Sequence, residues 1–173
     1  MDRMSTDRLE LRPFVDADEE ALLAVFGDAG ALRYWGPPLD RAGVRARIDR
    51  NRECQRTNGF ARWAIVVRET RELVGDAGLT PTDVAGVEEI ELGWVVRADR
   101  WGNGYATEAA RAWIERAFGR VGLSRIVSMI RPENAPSRRV AEKLGMRVER
   151  TAFWNDAPHL VHVLEAPAAT PAW

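Results

Sequence analysis

Residues 60–96 carry three apolar runs joined by links too short to hold a helix, and this limits the chain to few folds. The runs are FARWAIVV (Phe60–Val67), LVGDAGLT (Leu73–Thr80) and VEEIELGWVV (Val87–Val96), the first two separated by the polar RETRE. Such a series predicts an antiparallel meander. The third run leads through WGNG (Trp101–Gly104) into the clearest helix of the chain. Ala106, Ala109, Ala110, Trp113, Ile114, Ala117 and Phe118 recur at helical spacing and form an unbroken apolar stripe.

The flanking segments extend this layout. DRLELRPF (Asp7–Phe14) alternates apolar and charged residues and reads as an opening strand. Asp16 is placed to cap a helix running to Phe26, and RYWGPP (Arg33–Pro38) must be a loop because of its Pro–Pro pair. A second helix is expected from about Asp40 to Thr57, then, after the glycine turn and its helix, a strand over Ser124–Ile130. PSRRVAEKLG (Pro136–Gly145) is a short helix with Pro in its first turn and Gly145 as its stop. MRVERTAFW and HLVHVLEA close the chain as two strands around the turn Asn155–Pro158, with a loose tail from about 168 to 173. With no repeat, linker or low-complexity segment, residues 1–173 are expected to form a single α/β domain.

Bulk properties exclude several classes of function. The net charge is −1, so no global field favours nucleic acid or an anionic membrane. Six arginines crowd the second helix (Arg41, Arg45, Arg47, Arg50, Arg52 and Arg56), and they read as a solvated face offset by acids elsewhere. Cys54 is the only cysteine, which excludes an intrachain disulfide and a cysteine zinc cluster and leaves it a small apolar filler. His159 and His162 are the only histidines, and no metal site is expected. MDRMSTDRLE has no apolar core and no run reaches the ~18 residues needed to span a bilayer, so a cytoplasmic protein is expected.

Gly102 and Gly104 pose the functional question. A tight strand-to-helix turn explains them structurally. The alternative is an anion site, since a helix N-terminus offers about four unpaired N–H groups and roughly half a positive charge. The segment is not a P-loop, which needs GxxxxGK before Ser or Thr, and it has no lysine. It is not a dinucleotide fingerprint either: Thr107 stands where the third small residue belongs, and the preceding strand is third in a meander.

The wider context resembles a known family. ELGWVV followed after RADR by WGNGYATEAARAW is similar to motif A of the GNAT acetyltransferase superfamily, whose glycine turn grips the pyrophosphate of acetyl-coenzyme A. RPENAPSRRVAEKLGM resembles that superfamily's next block, Asn-x-x-Ser before a helix ending Glu-Lys-x-Gly. TDRLELRPF and RYWGPP are similar to the branch that acetylates ribosomal-protein N-termini, the Rim type. In the pattern Gln/Arg-x-x-Gly-x-Gly/Ala, Trp101 takes the first place, Gly104 the fourth and Ala106 the last; Trp101 cannot supply a charge, and RADR replaces the frequent preceding Pro. Arg97 and Arg100 contact phosphate or simply face solvent.

The resemblance implies the GNAT fold: a mixed, mostly antiparallel sheet of about seven strands with splayed central strands, flanked by about four helices. It implies an N-acetyltransferase moving acetyl from acetyl-CoA, a co-substrate, to a primary amine in a ternary complex, as monomer or homodimer and without metal. The rival reading is a non-catalytic acyl-CoA-binding sensor. Cofactor contacts fall on the backbone of Trp94, Val95 and Val96 and on Trp101, Gly102, Asn103, Gly104, Tyr105, Ala106 and Thr107, with Asn134 orienting pantetheine or a water. Glu91 is the candidate base, sharing a strand face with Glu89 while Glu88 points away. Ser137 is either the acid for the leaving thiolate or a helix cap, a role equally open to Asn134; related enzymes often use Tyr, but neither Tyr34 nor Tyr105 lies in this block. Tyr34, Trp35 and the Asn155–Pro158 turn would select the acceptor, and Lys143 makes a surface contact.

Overall fold

The computed structural model describes residues 2–154 and 156–167. Asn155 of the expected turn and the expected loose tail at 168–173 lie outside the described residues. The chain runs β1 (Met4–Ser5), β2 (Leu9–Arg12), α1 (Glu19–Phe26), α2 (Ala29–Leu32), α3 (Arg41–Asn58), β3 (Arg62–Val67), β4 (Leu73–Asp83) and β5 (Glu88–Val96). It continues through α4 (Tyr105–Arg116), β6 (Arg125–Ile130), α5 (Ala135–Lys143), β7 (Arg147–Trp154) and β8 (Ala157–Glu165). The strands form one sheet in the order β1-β2-β3-β4-β5-β6-β8-β7. Every neighbouring pair is antiparallel except β5 with β6, which is parallel.

The meander expected over 60–96 is β3-β4-β5. The sheet has eight strands because Met4–Ser5 pairs with Leu11 and Glu10 as a short extra edge. An additional short helix, α2, starts where the Asp28 carboxylate accepts the Gly30 amide at 2.7 Å. Asp16 does not cap α1 as the sequence suggested. Asp18 stands at the N-cap position of α1 but makes no side-chain bond to the helix; its carboxylate accepts from the Val15 amide at 2.8 Å and from the Arg12 guanidinium, while exposed Asp16 pairs with Arg52. The side chain three residues further on satisfies the orphan amide that precedes the turn.

Strand alternation divides the core between the two faces of the sheet. On one face Trp63, Leu92 and Trp94 pack under the apolar stripe of α4, where the rings of Trp63 and Trp113 meet edge-on at 4.9 Å. On the other face Ala64, Val66 and Val95 pack with Phe26, Val44 and Ile48 of α1 and α3. Burying a side chain of this size contributes about 1.5–3 kcal/mol. This fixes which side of β5 each residue sees: Leu92, Trp94 and Val96 face α4, and Gly93 and Val95 face α3.

The arginine-rich face of α3 is only partly solvated. Exposed Arg41 and Arg45 reach the half-buried Glu19, and exposed Arg56 reaches Glu53. Arg47 instead turns under the helix to Asp76 on β4, a carboxylate with 0% exposure. Among the described residues no helix is long and apolar enough to cross a membrane.

Candidate active site

The site begins with a break in the sheet. β4 and β5 stay paired from Gly75–Val96 to Asp83–Glu88, but β5 and β6 pair only at Glu91 and Val127. Beyond that rung the strands diverge. The Ser128 hydroxyl fills the first gap by donating to the Leu92 carbonyl at 2.6 Å. Further on, Trp94, Val95 and Val96 line an open cleft, with Tyr105, Ala106 and Thr107 of α4 at its end. Pro136, Arg139, Val140 and Lys143 of α5 form the opposite wall. The cleft thus has a strand edge on one side and a helix start at its end, the geometry expected for an extended ligand ending in an anion.

Both glycines of the turn are required by the backbone itself. Gly102 has φ +80° and Gly104 φ +81°, values that side-chain-bearing residues adopt at a cost. A Cβ at Gly102 would meet nothing within 4 Å, and one at Gly104 would meet only the Arg8 guanidinium, at 3.4 Å. The turn therefore presents its amides unobstructed. Gly104 is the N-cap of α4 and provides no side-chain cap, so the first N–H groups of the helix remain unpaired. Asn103 does not line the cleft; its side-chain amide turns back to the Arg100 carbonyl at 2.9 Å. Arg8 holds the turn from outside, donating to the Asn103 carbonyl at 2.9 Å and pairing with Glu108. The Trp101 indole donates to the Val96 carbonyl at 2.7 Å and fastens the turn to β5, a structural use for a residue that brings no charge. Arg97 and Arg100 are both paired with Glu72, and Arg100 still reaches the cleft.

A smaller, narrow pocket opens where the strands begin to part. Glu91, Ser128, Arg131 and His159 line it, and it shares Tyr34, Trp35, Trp94, Asn134 and Ser137 with the outer cleft. The two spaces therefore meet at those five residues. Glu91 is 5% exposed. Burial pushes its carboxyl above the ordinary range, while the charge of Arg62, the Met129 amide and the Thr82 hydroxyl pull the other way. Glu89 is not in either cavity and pairs with Arg125 at 3.1 Å, and Glu88 is exposed.

The structure decides the cap of α5. Asn134 Oδ1 accepts the Ser137 amide at 3.2 Å, so Asn134 is the cap and Ser137 is not. Among the described residues the Ser137 hydroxyl has no hydrogen-bond partner, and Ser137 lines both cavities. Tyr34 and Trp35 stand at the junction, their rings covered by Arg33 at 4.9 Å and Arg62 at 5.0 Å. The expected acceptor turn contributes through its flanks: Trp154 and His159 line the inner cavity with rings edge-on at 5.4 Å.

Sequence reasoning missed Trp154, His159, Arg131, Arg139 and the position of Lys143 in the cleft. For α5 a signal was present. Pro136, Arg139, Val140 and Lys143 stand at i, i+3, i+4 and i+7, which puts them on one helix face.

Comparison with known proteins agrees with this geometry. A family profile described as "Acetyltransferase (GNAT) domain" matches residues 8–147. The chain is 30% identical over 148 residues to the uncharacterized N-acetyltransferase YoaA of Bacillus subtilis (strain 168), covering 84% of this chain and 83% of YoaA. Among solved structures, an acetyltransferase from Agrobacterium tumefaciens str. C58 superposes with a TM-score of 0.84 at 28% identity, over 96% of this chain and 95% of that one. RimJ of Mycobacterium smegmatis, solved in complex with CoA-disulfide, gives a TM-score of 0.77 at 25% identity, over 91% of this chain and 82% of RimJ.

Proposed function

The chain belongs to the GNAT acetyltransferase family and is an acyltransferase, and on that premise we propose that it moves acetyl directly from acetyl-CoA to a primary amine within a ternary complex. The observation that carries this reading is the junction of the two cavities: a buried carboxyl lies in the inner one, and the outer one ends at the uncapped start of α4. The site fits the co-substrate in two respects. The amides of Gly102–Thr107 lie open at a helix N-terminus, which suits a pyrophosphate. The edge of β5 at Trp94, Val95 and Val96 has no β6 partner and, apart from the Val96 carbonyl held by Trp101, suits a chain bearing amides, such as pantetheine. The CoA ligand of the similar RimJ supports the same choice.

When bound, the thioester supplies an activated acyl group with a thiolate leaving group. The residues of the chain do the rest. Glu91, its proton affinity raised by burial, takes the proton of the attacking amine directly or through water. The Ser137 hydroxyl relays a proton to the departing thiolate and takes one in return from solvent water in the open cleft, so that the serine ends unchanged. Asn134, occupied in capping α5, holds Ser137 at the junction. Tyr34, Trp35 and Trp154 give the inner cavity aromatic walls, and Glu91 is its only carboxylate among the described residues. A polycation would need several acids there. A single amine on a less charged carrier, such as a protein N-terminus, suits the cavity better.

The test is turnover of acetyl-CoA with a panel of N-terminal peptides, simple amines, spermidine and an aminoglycoside, read as free thiol. Turnover with a peptide or monoamine is expected, reduced at least about 10²-fold by Glu91→Gln. Binding of CoA without turnover on any amine would leave a non-catalytic acyl-CoA-binding module.

A further inference from the structure

Beneath Glu91 lies a buried ion cluster that the transfer chemistry above does not use. Arg62, at the start of β3, is 6% exposed and donates from Nε and Nη2 to Asp76 Oδ1 at 3.2 and 2.8 Å. Arg47 from α3 takes the other oxygen, with Nε at 3.1 Å and Nη2 at 2.5 Å. Two guanidinium groups thus share one carboxylate, which leaves an excess positive charge in a low-dielectric region. An uncompensated buried charge is costly unless another anion lies close.

The sheet register shows where that charge goes. Arg62 stands opposite Gly78 on β4, and Gly78 stands opposite Gly93 on β5. The row crosses three strands, and its two positions beyond Arg62 carry no side chain. The Arg62 side chain fills that space: a Cβ built on Gly93 would come within 2.1 Å of its Nη1 and 2.9 Å of its Cζ. Gly93 is two residues from Glu91, so both point to the same face, about 7 Å apart. The same guanidinium lies 5.0 Å from the centre of the Trp35 ring, at the junction of the two cavities.

We propose that Arg62 is a positioning residue of the transfer site: lying across Gly78 and Gly93, it holds Glu91 in its working charge state and fixes Trp35 over the acceptor cavity. This rests on Glu91 being the base. The electrostatics agree with the geometry. Burial raises the Glu91 carboxyl, and Arg62 is the strongest influence against it, ahead of the Met129 amide, the Thr82 hydroxyl and Arg47. Asp76 on β4, and Arg131, His159 and Tyr34 around the inner cavity, complete the charged and titratable groups near it. Arg62 thereby links two requirements, a base that can lose its proton and a wall that places the amine.

The experiment is the pH profile of kcat/KM with acetyl-CoA and one accepted amine, together with the KM for that amine. It compares the wild type with Glu91→Gln, Arg62→Met, Arg62→Lys and Gly93→Ala. Arg62→Met should move the acidic limb upward by about one pH unit, since an opposite charge nearby lowers a carboxyl by about 1–3 units. It should also raise the KM for the amine several-fold. Arg62→Lys keeps a charge but loses the planar, two-pronged contact, so the limb should stay near wild type while the amine KM rises. Gly93→Ala displaces the guanidinium without removing it and should shift the limb in the same direction, which decides the matter if Arg62→Met does not fold. A purely structural Arg62 would lower the urea midpoint and leave the limb in place. An unmoved limb in Arg62→Met or Gly93→Ala, with the limb lost in Glu91→Gln, would overturn the role of Arg62 and keep Glu91 as base. A wild-type profile in Glu91→Gln would instead remove the base assignment itself.

Discussion

Replacing Gly104 by Val separates the two duties of the glycine turn. Gly104 sits at φ +81°, where a residue with a Cβ loses about 1–2 kcal/mol. The new Cβ itself would meet only the tip of Arg8 at 3.4 Å, and the two γ-methyls of valine add further strain at this φ. Against the ~5–15 kcal/mol that stabilises a domain of this kind, the fold should survive. The ligand should suffer more. The branched side chain would stand beside the unpaired amides that open α4 and screen them from an anion. A hydrogen bond to a charged group contributes about 1.5–3 kcal/mol, so losing two such bonds would cost ~3–6 kcal/mol. At 1.4 kcal/mol per tenfold, that weakens the Kd for CoA by roughly 10²–10⁴-fold. Calorimetry with CoA and urea unfolding of the same preparations give both numbers. Gly104→Ala should show most of the stability loss and less of the affinity loss. A Gly104→Val protein that is destabilised but binds CoA like the wild type would show that the turn serves chain geometry alone.

Three further outcomes are expected. Ser137→Ala should lower kcat about 10²–10⁴-fold with CoA affinity kept, and because Asn134 is the cap its urea midpoint should barely move; wild-type turnover would remove Ser137 from the chemistry. Asn134→Ala should cost about 0.5–2 kcal/mol of stability in urea unfolding, and no loss would mean that this cap carries nothing. Asp76, held below the ordinary carboxylate range by Arg47 and Arg62 in spite of complete burial, contributes stability that is whole above that range and is lost as pH falls through its depressed value. Asp76→Asn should therefore cost about 3–5 kcal/mol at neutral pH and flatten the acid limb of stability against pH, and an unflattened limb would deny the cluster that part.

Elements with strong periodicity were legible in the sequence, because core burial and backbone pairing act over short stretches. The meander, the stripe of α4 and the short α5 follow from that. The glycine turn was legible as an anion site only together with the segments around it. Helix periodicity places Arg47 on a solvated face because it sees only neighbours along the chain, whereas its partner Asp76 lies 29 residues away on a strand. Ser137 and Asn134 could not be told apart as caps, since hydroxyl and amide oxygens both accept from a first-turn amide; the distance of 3.2 Å to Asn134 decides it. Trp154 and His159 reach the inner cavity only because β8 inserts between β6 and β7, a pairing no local pattern carries.

The single rung between β5 and β6 has a mechanical consequence. A continuous ladder of backbone bonds resists shear between strands, and one bond pair resists it poorly. The sheet is in effect two stiff ribbons, five strands from β1 to β5 and three from β6 to β7, hinged along a seam at Glu91 and Val127. A molecule laid along both free edges would act as a strut across that hinge. Stiffness of the whole sheet would then arrive with the substrate and leave with the product, and amide exchange at Leu92–Val96 would report it.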